Sequence, residues 1–141
     1  MLLRDYTRSG SPISFVKAFR ELLKGGLIID TIFQKDRLPI VYFAAAWCEN
    51  SVPLALFLKH GGDPDAIGDE YGGTALMHAA MLGKVWAVKL LLRYGADRHR
   101  VDKKGKNAFD HASGYSNGKN DEILDLLWNF KESSIEKKGR K

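Results

Sequence analysis

Apolar positions in this chain fall into short blocks of helical length, separated by stretches rich in glycine, aspartate and lysine. Two kinds of block recur. Ala44-Ala45-Ala46, Ala79-Ala80 and Ala112-Ser113 supply small side chains, which let one helix backbone approach the next closely. Leu56-Phe57-Leu58, Leu90-Leu91-Leu92 and Leu126-Leu127-Trp128 supply bulk, as expected of second helices leaning over the first. The pattern predicts four helix pairs, at 14–24 with 27–35, 40–48 with 51–60, 74–82 with 85–94, and 107–114 with 121–130. Gly61 and Gly95 stand where a helix ends on a left-handed residue. Thr74 can cap its helix through its hydroxyl, and Pro53 falls in a first turn, where proline is tolerated. The run Ser116-Asn117-Gly118-Lys119-Asn120 reads as an insertion that loosens the last turn.

The blocks repeat at a fixed distance. Asp69, Gly72, His78 and Ala79 recur in constant register as Asp102, Gly105, His111 and Ala112. Leu54 to Asp63 is an upstream copy of Val88 to Asp97 whose interval is longer by a single residue, and that extra residue falls between Asp63 and Asp69. A period of this length means that no hairpin buries its apolar face alone, so neighbours must stack. Gly72, Thr74, Leu76, Ala79, Ala80, Gly83, Val88, Leu91, Leu92, Gly95, Ala96 and Asp97 together resemble the ankyrin repeat. The resemblance implies an all-α solenoid of about four stacked antiparallel helix pairs: about three recognisable repeats plus a diverged N-terminal helical cap. Loops 61–73 and 95–106 would project as fingers. The domain reading is an extension over 1–13, the repeats over 14–130 and a basic tail over 131–141. Two features depart from the family. Phe43, Met77 and Asp110 replace its histidine, with His78 and His111 one position later, and Val41, Ala75 and Ala108 replace its proline. The hydrogen bonding that the family draws between repeats from threonine and histidine is therefore not expected here.

The same resemblance implies a non-catalytic protein–protein interaction module, binding through the finger tips and the exposed face of the inner helices. Mapped onto this chain, that surface includes Arg37, Trp47, Cys48, Glu70, Tyr71, Gly73, Met81, Leu82, Lys103, Lys104, Lys106 and Tyr115. Trp47, Met81, Leu82 and Tyr115 fall near the ends of successive inner helices and can align as an apolar stripe. Aromatic residues ringed by polar groups make good interface anchors; the competing reading packs them under the second helices or the tail. Inhibitor, immunity and adaptor roles all suit a chain whose binding is its activity.

Composition narrows the classes further. Hydrophobic residues make up 45% and charged residues 28%, a balance that fits a folded protein. No apolar run approaches bilayer length, and the first residues lack the layout of a secretion signal. With Cys48 the only cysteine, no internal disulfide forms, so a cytoplasmic location is expected. The net charge of +5 is uneven. Asp63, Asp65, Asp69 and Glu70 make the first finger acidic, whereas Arg98, Arg100, Lys103, Lys104 and Lys106 make the second basic. These charges either pair in a surface lattice of little worth or form a bipolar surface that orients a partner. The alternative function is nucleic-acid binding through the basic loop 98–106 and the C-terminal tail, with the steep salt dependence that counterion release imposes. No phosphate loop, zinc spacing or paired-carboxylate motif points to catalysis, a cofactor or a metal. Cys48 reads as a structural thiol, and His78 and His111 as partly buried residues between repeats.

Overall fold

The structure, a computed structural model, describes residues 40–114 and 120–130, together with Val16, Lys17, Phe19, Arg20, Glu21 and Lys24 of an earlier helical stretch. Among the described residues run six helices: α1 Ile40–Trp47, α2 Val52–Lys59, α3 Ala75–Met81, α4 Val85–Arg93, α5 Ala108–Ser113 and α6 Asn120–Asn129. They pair as hairpins α1–α2, α3–α4 and α5–α6. α1, α3 and α5 pack side by side as an inner layer, and α2, α4 and α6 form a second layer over it. The three pairs expected between 40 and 130 are therefore present, each within a residue or two of its predicted bounds. The expected helix at 27–35 lies outside the described residues.

The small and bulky blocks do what their sizes allow. Ala44, Ala45, Ala79, Ala80 and Ala112 are buried between inner helices. Leu54, Phe57 and Leu58, then Val88, Leu91 and Leu92, then Ile123 and Leu127 fill the space between the layers. Each such side chain stabilises by roughly 1.5–3 kcal/mol on burial, so this apolar seam, not the surface charge, holds the stack. Phe19 extends it upstream, its ring meeting Phe57 edge-on at 5.4 Å. Trp128 departs from expectation. It is 74% exposed, because the buried stripe of α6 runs through Ile123 and Leu127 and the next position turns away from it. Among the described residues the Phe109 ring, 6.0 Å away, is the aromatic neighbour it has.

The helix ends are sealed locally. The Thr74 hydroxyl accepts the Met77 N–H at 3.3 Å. Asn107 does the same for Asp110 at 3.0 Å, and the Asp110 carboxylate returns the bond to the Asn107 N–H at 3.0 Å. α4 ends in paired bonds, Ala96 N–H to Leu91 C=O at 2.9 Å and Gly95 N–H to Leu92 C=O at 3.0 Å. Gly95 holds the left-handed φ of 88° that this ending needs. Pro53 lies in the first turn of α2, as expected. No helix among the described residues is long and apolar enough to cross a membrane.

Candidate functional site

Two loops project from the inner-helix layer, and both close on an aspartate. In the first, Asp69 Oδ1 accepts the N–H groups of Tyr71 at 2.9 Å and Gly73 at 2.8 Å. In the second, Asp102 Oδ1 accepts those of Lys104 at 2.8 Å and Lys106 at 3.0 Å. Gly72 and Gly105 sit at the tips with φ of 77° and 74°, a region that side chains strain to adopt. The first loop is closed by Gly68 N–H to Gly73 C=O at 3.0 Å, the second by Asp102 N–H to Lys106 C=O at 2.9 Å. The extra residue of the first loop is Gly68, whose backbone lies flat on the Tyr42 ring; a Cβ there would sit 2.0 Å from the ring.

The second carboxylate oxygen distinguishes the loops. Asp102 Oδ2 meets His111 Nε2 of its own repeat at 2.8 Å. The N–H of Lys106, then His111 and the N–H of Lys104, hold the Asp102 carboxyl below the usual carboxylate range against its burial. Asp69 Oδ2 instead accepts the Tyr42 hydroxyl at 3.3 Å, and that hydroxyl oxygen lies 3.1 Å from His78 Nδ1. The phenol has one hydrogen, and a carboxylate only accepts, so Tyr42 donates to Asp69 and His78 carries its proton on Nδ1. Burial, with the Asp69 charge adding to it, pushes the Tyr42 phenol up to about 12. Burial likewise pushes the His78 imidazole down, keeping it neutral. Repeats are thus linked by polar bonds after all, through a tyrosine where the family uses threonine and histidine.

Asp69, His78, Asp102 and His111 line a groove of about 230 Å³, with Tyr71, Met77 and Met81 on one side and Lys104 and Lys106 on the other. Tyr71, in its lining, is 55% exposed, and Trp47 and Leu82 at the ends of the inner helices are 47% and 44% exposed. Met81 is half-buried, and Glu70, Lys103, Lys104 and Lys106 are exposed. Trp47 packs on Phe43 at 5.4 Å and on Tyr42 and His78, both at 6.1 Å. Eight of the ten residues mapped most directly to a binding surface therefore lie on the inner-helix ends and finger tips; Arg37 and Tyr115 fall outside the described residues. Cys48 is buried away from the groove, whereas Gly73, though buried, lines it. The histidines of both repeats line one groove, but no group of three or more potential metal ligands occurs among the described residues.

Opposite charge does not join the fingers. Asp65 accepts the Asp97 N–H at 2.7 Å, the Lys103 N–H donates to Tyr71 C=O at 2.8 Å, and the Lys104 ammonium stands 5.4 Å from the Tyr71 ring centroid. Among the described residues no ion pair engages Lys103, Lys104 or Lys106. Arg98 is different from the other basic residues of its loop. Half-buried, it donates to Leu127 C=O at 3.0 Å and Phe130 C=O at 3.1 Å, sealing the end of α6. Lys84 has the matching role at the end of α1, donating to Ala46 C=O at 2.6 Å and Cys48 C=O at 3.1 Å. Sequence reasoning missed Tyr42 and Lys84. The shared register of Asp69 with Asp102 and of His78 with His111 was legible, but not the bonds these residues make.

The family model for ankyrin repeats (3 copies) matches residues 41–138. A putative ankyrin repeat protein of Acanthamoeba polyphaga mimivirus is 32% identical over 62% of this chain and 21% of its own length. The 2-5A-dependent ribonuclease of Mus musculus is 42% identical over 41% of the chain and 8% of its own length. Ankyrin repeat protein nuc-2 of Neurospora crassa is 40% identical over 43% and 6%. The chain thus spans about a fifth or less of the length of these relatives.

Proposed function

Because this chain belongs to the ankyrin-repeat family, whose repeats are generally non-catalytic protein–protein interaction modules, we propose that it binds one specific partner protein along the inner-helix ends and finger loops. Its role is that of an inhibitor, immunity protein or adaptor, in which occupying the partner's surface is the activity. The supporting observation is a groove lined by Tyr71, Met77 and Met81 with Lys104 and Lys106 on its far side, together with exposed Trp47 and Leu82 at the inner-helix ends and exposed Lys103 in the finger. Large apolar side chains edged by exposed charge combine anchors with orientation. The outer face offers less: α4 presents Lys89 and Arg93 to solvent while its apolar stripe is buried.

A photo-crosslinking side chain placed at Leu82 in native cells tests this, with the same group at Lys89 as the comparison. One stoichiometric protein adduct is expected at 82, lost on Trp47→Ala/Tyr71→Ala with helical content retained. Adducts concentrated at 89 instead would move binding to the outer helices. Adducts to nucleic acid at 82, weakening steeply with salt, would favour the basic loop and tail as a nucleic-acid surface.

A further inference from the structure

The groove between the two fingers is unevenly satisfied. Its carboxylates are largely engaged. Asp69 accepts two backbone N–H groups and the Tyr42 hydroxyl, and Asp102 accepts two N–H groups and meets His111. A carboxylate has about four acceptor positions, so little capacity is left on either. The ammonium groups of Lys104 and Lys106, in the same lining, are the opposite case. Each carries about three donors. Among the described residues neither meets a carboxylate, and Lys104 stands over the Tyr71 ring, 5.4 Å from its centroid. Charge in the lining therefore balances, while hydrogen-bonding capacity does not.

The two lysines also leave a turn that is already built. Both of their N–H groups bind Asp102 around the left-handed Gly105, so only side-chain freedom remains to be lost on binding. Across the groove the surface changes character. Tyr71 is exposed and Met81 half-buried, a ring and a thioether that form an adaptable apolar wall. The cavity of about 230 Å³ is smaller than the about 300–1,000 Å³ of small-molecule sites, and it suits one or two side chains.

We propose that this groove recognises a short segment of the partner in which a glutamate or aspartate adjoins a large aliphatic residue, the carboxylate lying on Lys104 and Lys106 and the aliphatic side chain on Tyr71 and Met81. Charge sets the direction of the segment. Asp69 and Glu70 stand on the first finger, so the acidic end faces the second. A nucleic acid fits less well, because its phosphates continue in both directions and one direction runs onto Asp69 and Glu70. That a protein supplies the segment rests on the function proposed above; the chemistry of the groove does not.

Met77 and Met81 line the groove and serve as its reporters. In the full chain labelled at methionine methyl groups, an acetylated leucine–glutamate–glutamate–leucine peptide should shift both resonances saturably at low salt. Affinity should fall at least about tenfold for the leucine–glutamine–glutamine–leucine peptide, and equally on Lys104→Gln/Lys106→Gln. Lys59→Gln/Lys89→Gln removes the same charge from α2 and α4 and should leave affinity within about twofold. Resonances that stay still, equal binding of the glutamate and glutamine peptides, or an equal loss from both lysine pairs overturns the carboxylate site. Equal binding of a serine–glutamate–glutamate–serine peptide overturns the apolar half. A hexathymidine oligonucleotide that shifts the same methyls at lower concentration overturns a protein segment as the occupant. The function proposed above fails separately. Peptide binding with no crosslinked protein at Leu82 removes the cellular partner and keeps the groove, whereas a crosslinked partner that the peptide does not displace keeps the partner and overturns the groove as its docking point.

Discussion

The second and third repeats carry the same aspartate at the same distance before the same histidine, yet they use it differently. In the third, Asp102 turns inward to His111, and the pair closes within one repeat. In the second, Asp69 turns to Tyr42 of the preceding inner helix, and Tyr42 carries the contact to His78. Two glycines permit the change. Gly68 makes room for the Tyr42 ring, and a Cβ at Gly73 would stand 2.2 Å from Asp69 Oδ2. The residue equivalent to Gly73 in the third repeat is Lys106, which carries a side chain. A repeat can therefore trade self-closure for a polar bond to its neighbour by omitting two Cβ atoms. Asp102 organises a finger; Asp69 organises a finger and a junction.

The largest effect should come from removing the self-contained pair. Asp102→Ala strips acceptors from two backbone N–H groups and from His111, each bond being worth about 1 kcal/mol net in a finger that water reaches. A loss of about 3 kcal/mol is expected in urea unfolding of the whole chain. A loss below about 1 kcal/mol would mean that water replaces the carboxylate at no cost. At the other junction, Tyr42→Phe and Gly73→Ala should each cost about 1–2 kcal/mol by leaving His78 Nδ1–H or the Asp69 carboxylate without its partner. Because both act on one bond, the double variant should cost less than the two added together, which a double-mutant cycle reads directly. Strict additivity would separate the missing Cβ from the tyrosine contact.

The repeats should also answer differently to pH. His78 is pushed down by burial, so the unfolded chain binds its proton more readily. The stability it contributes is present above about 6.5 and is lost as pH falls below that value. Tyr42 is pushed up to about 12, so its contribution is present below about 10 and is lost as pH rises through about 12. Asp102 is held down, so its contribution is present above about 4 and is lost only in stronger acid. Stability followed from about pH 3 to about pH 11 should therefore fall at both ends in the native chain. In Tyr42→Phe the alkaline loss should shrink while the loss below about pH 4 stays. An unchanged alkaline limb would assign it to other groups.

Much of this is written in the sequence and some is not. The constant period, the alanine pairs and the leucine blocks place every described helix, because they express burial, which repeats with the fold. The exposed positions of Trp47, Tyr71 and Leu82 follow from register. Trp128 misleads because three adjacent large residues do not share one helix face. Arg98 looks like an outward charge because nothing local shows that it reaches α6. Tyr42 and Lys84 are invisible for the same reason: their partners come from other repeats, and part of what they meet, the Gly68 backbone for Tyr42 and the Ala46 and Cys48 carbonyls for Lys84, leaves no side-chain signature.

Two lysines of the α3–α4 hairpin sharpen the contrast between a junction and a surface, and they carry the smallest effects. Lys84 is half-buried, its ammonium spent on Ala46 C=O and Cys48 C=O across the first junction. Lys84→Met keeps the aliphatic stem but returns those carbonyls to water or leaves them bare, for an expected loss of about 1 kcal/mol. Lys89 pairs with Glu122 at 3.1 Å across the second junction, with both side chains more than half exposed. Water screens that pair, so Lys89→Ala should change stability by about 0.5 kcal/mol or less, and less again at high salt. If the two substitutions proved equal, the polar bridging of the first junction would be surface chemistry like that of the second, and the difference between them would lie in Tyr42 alone.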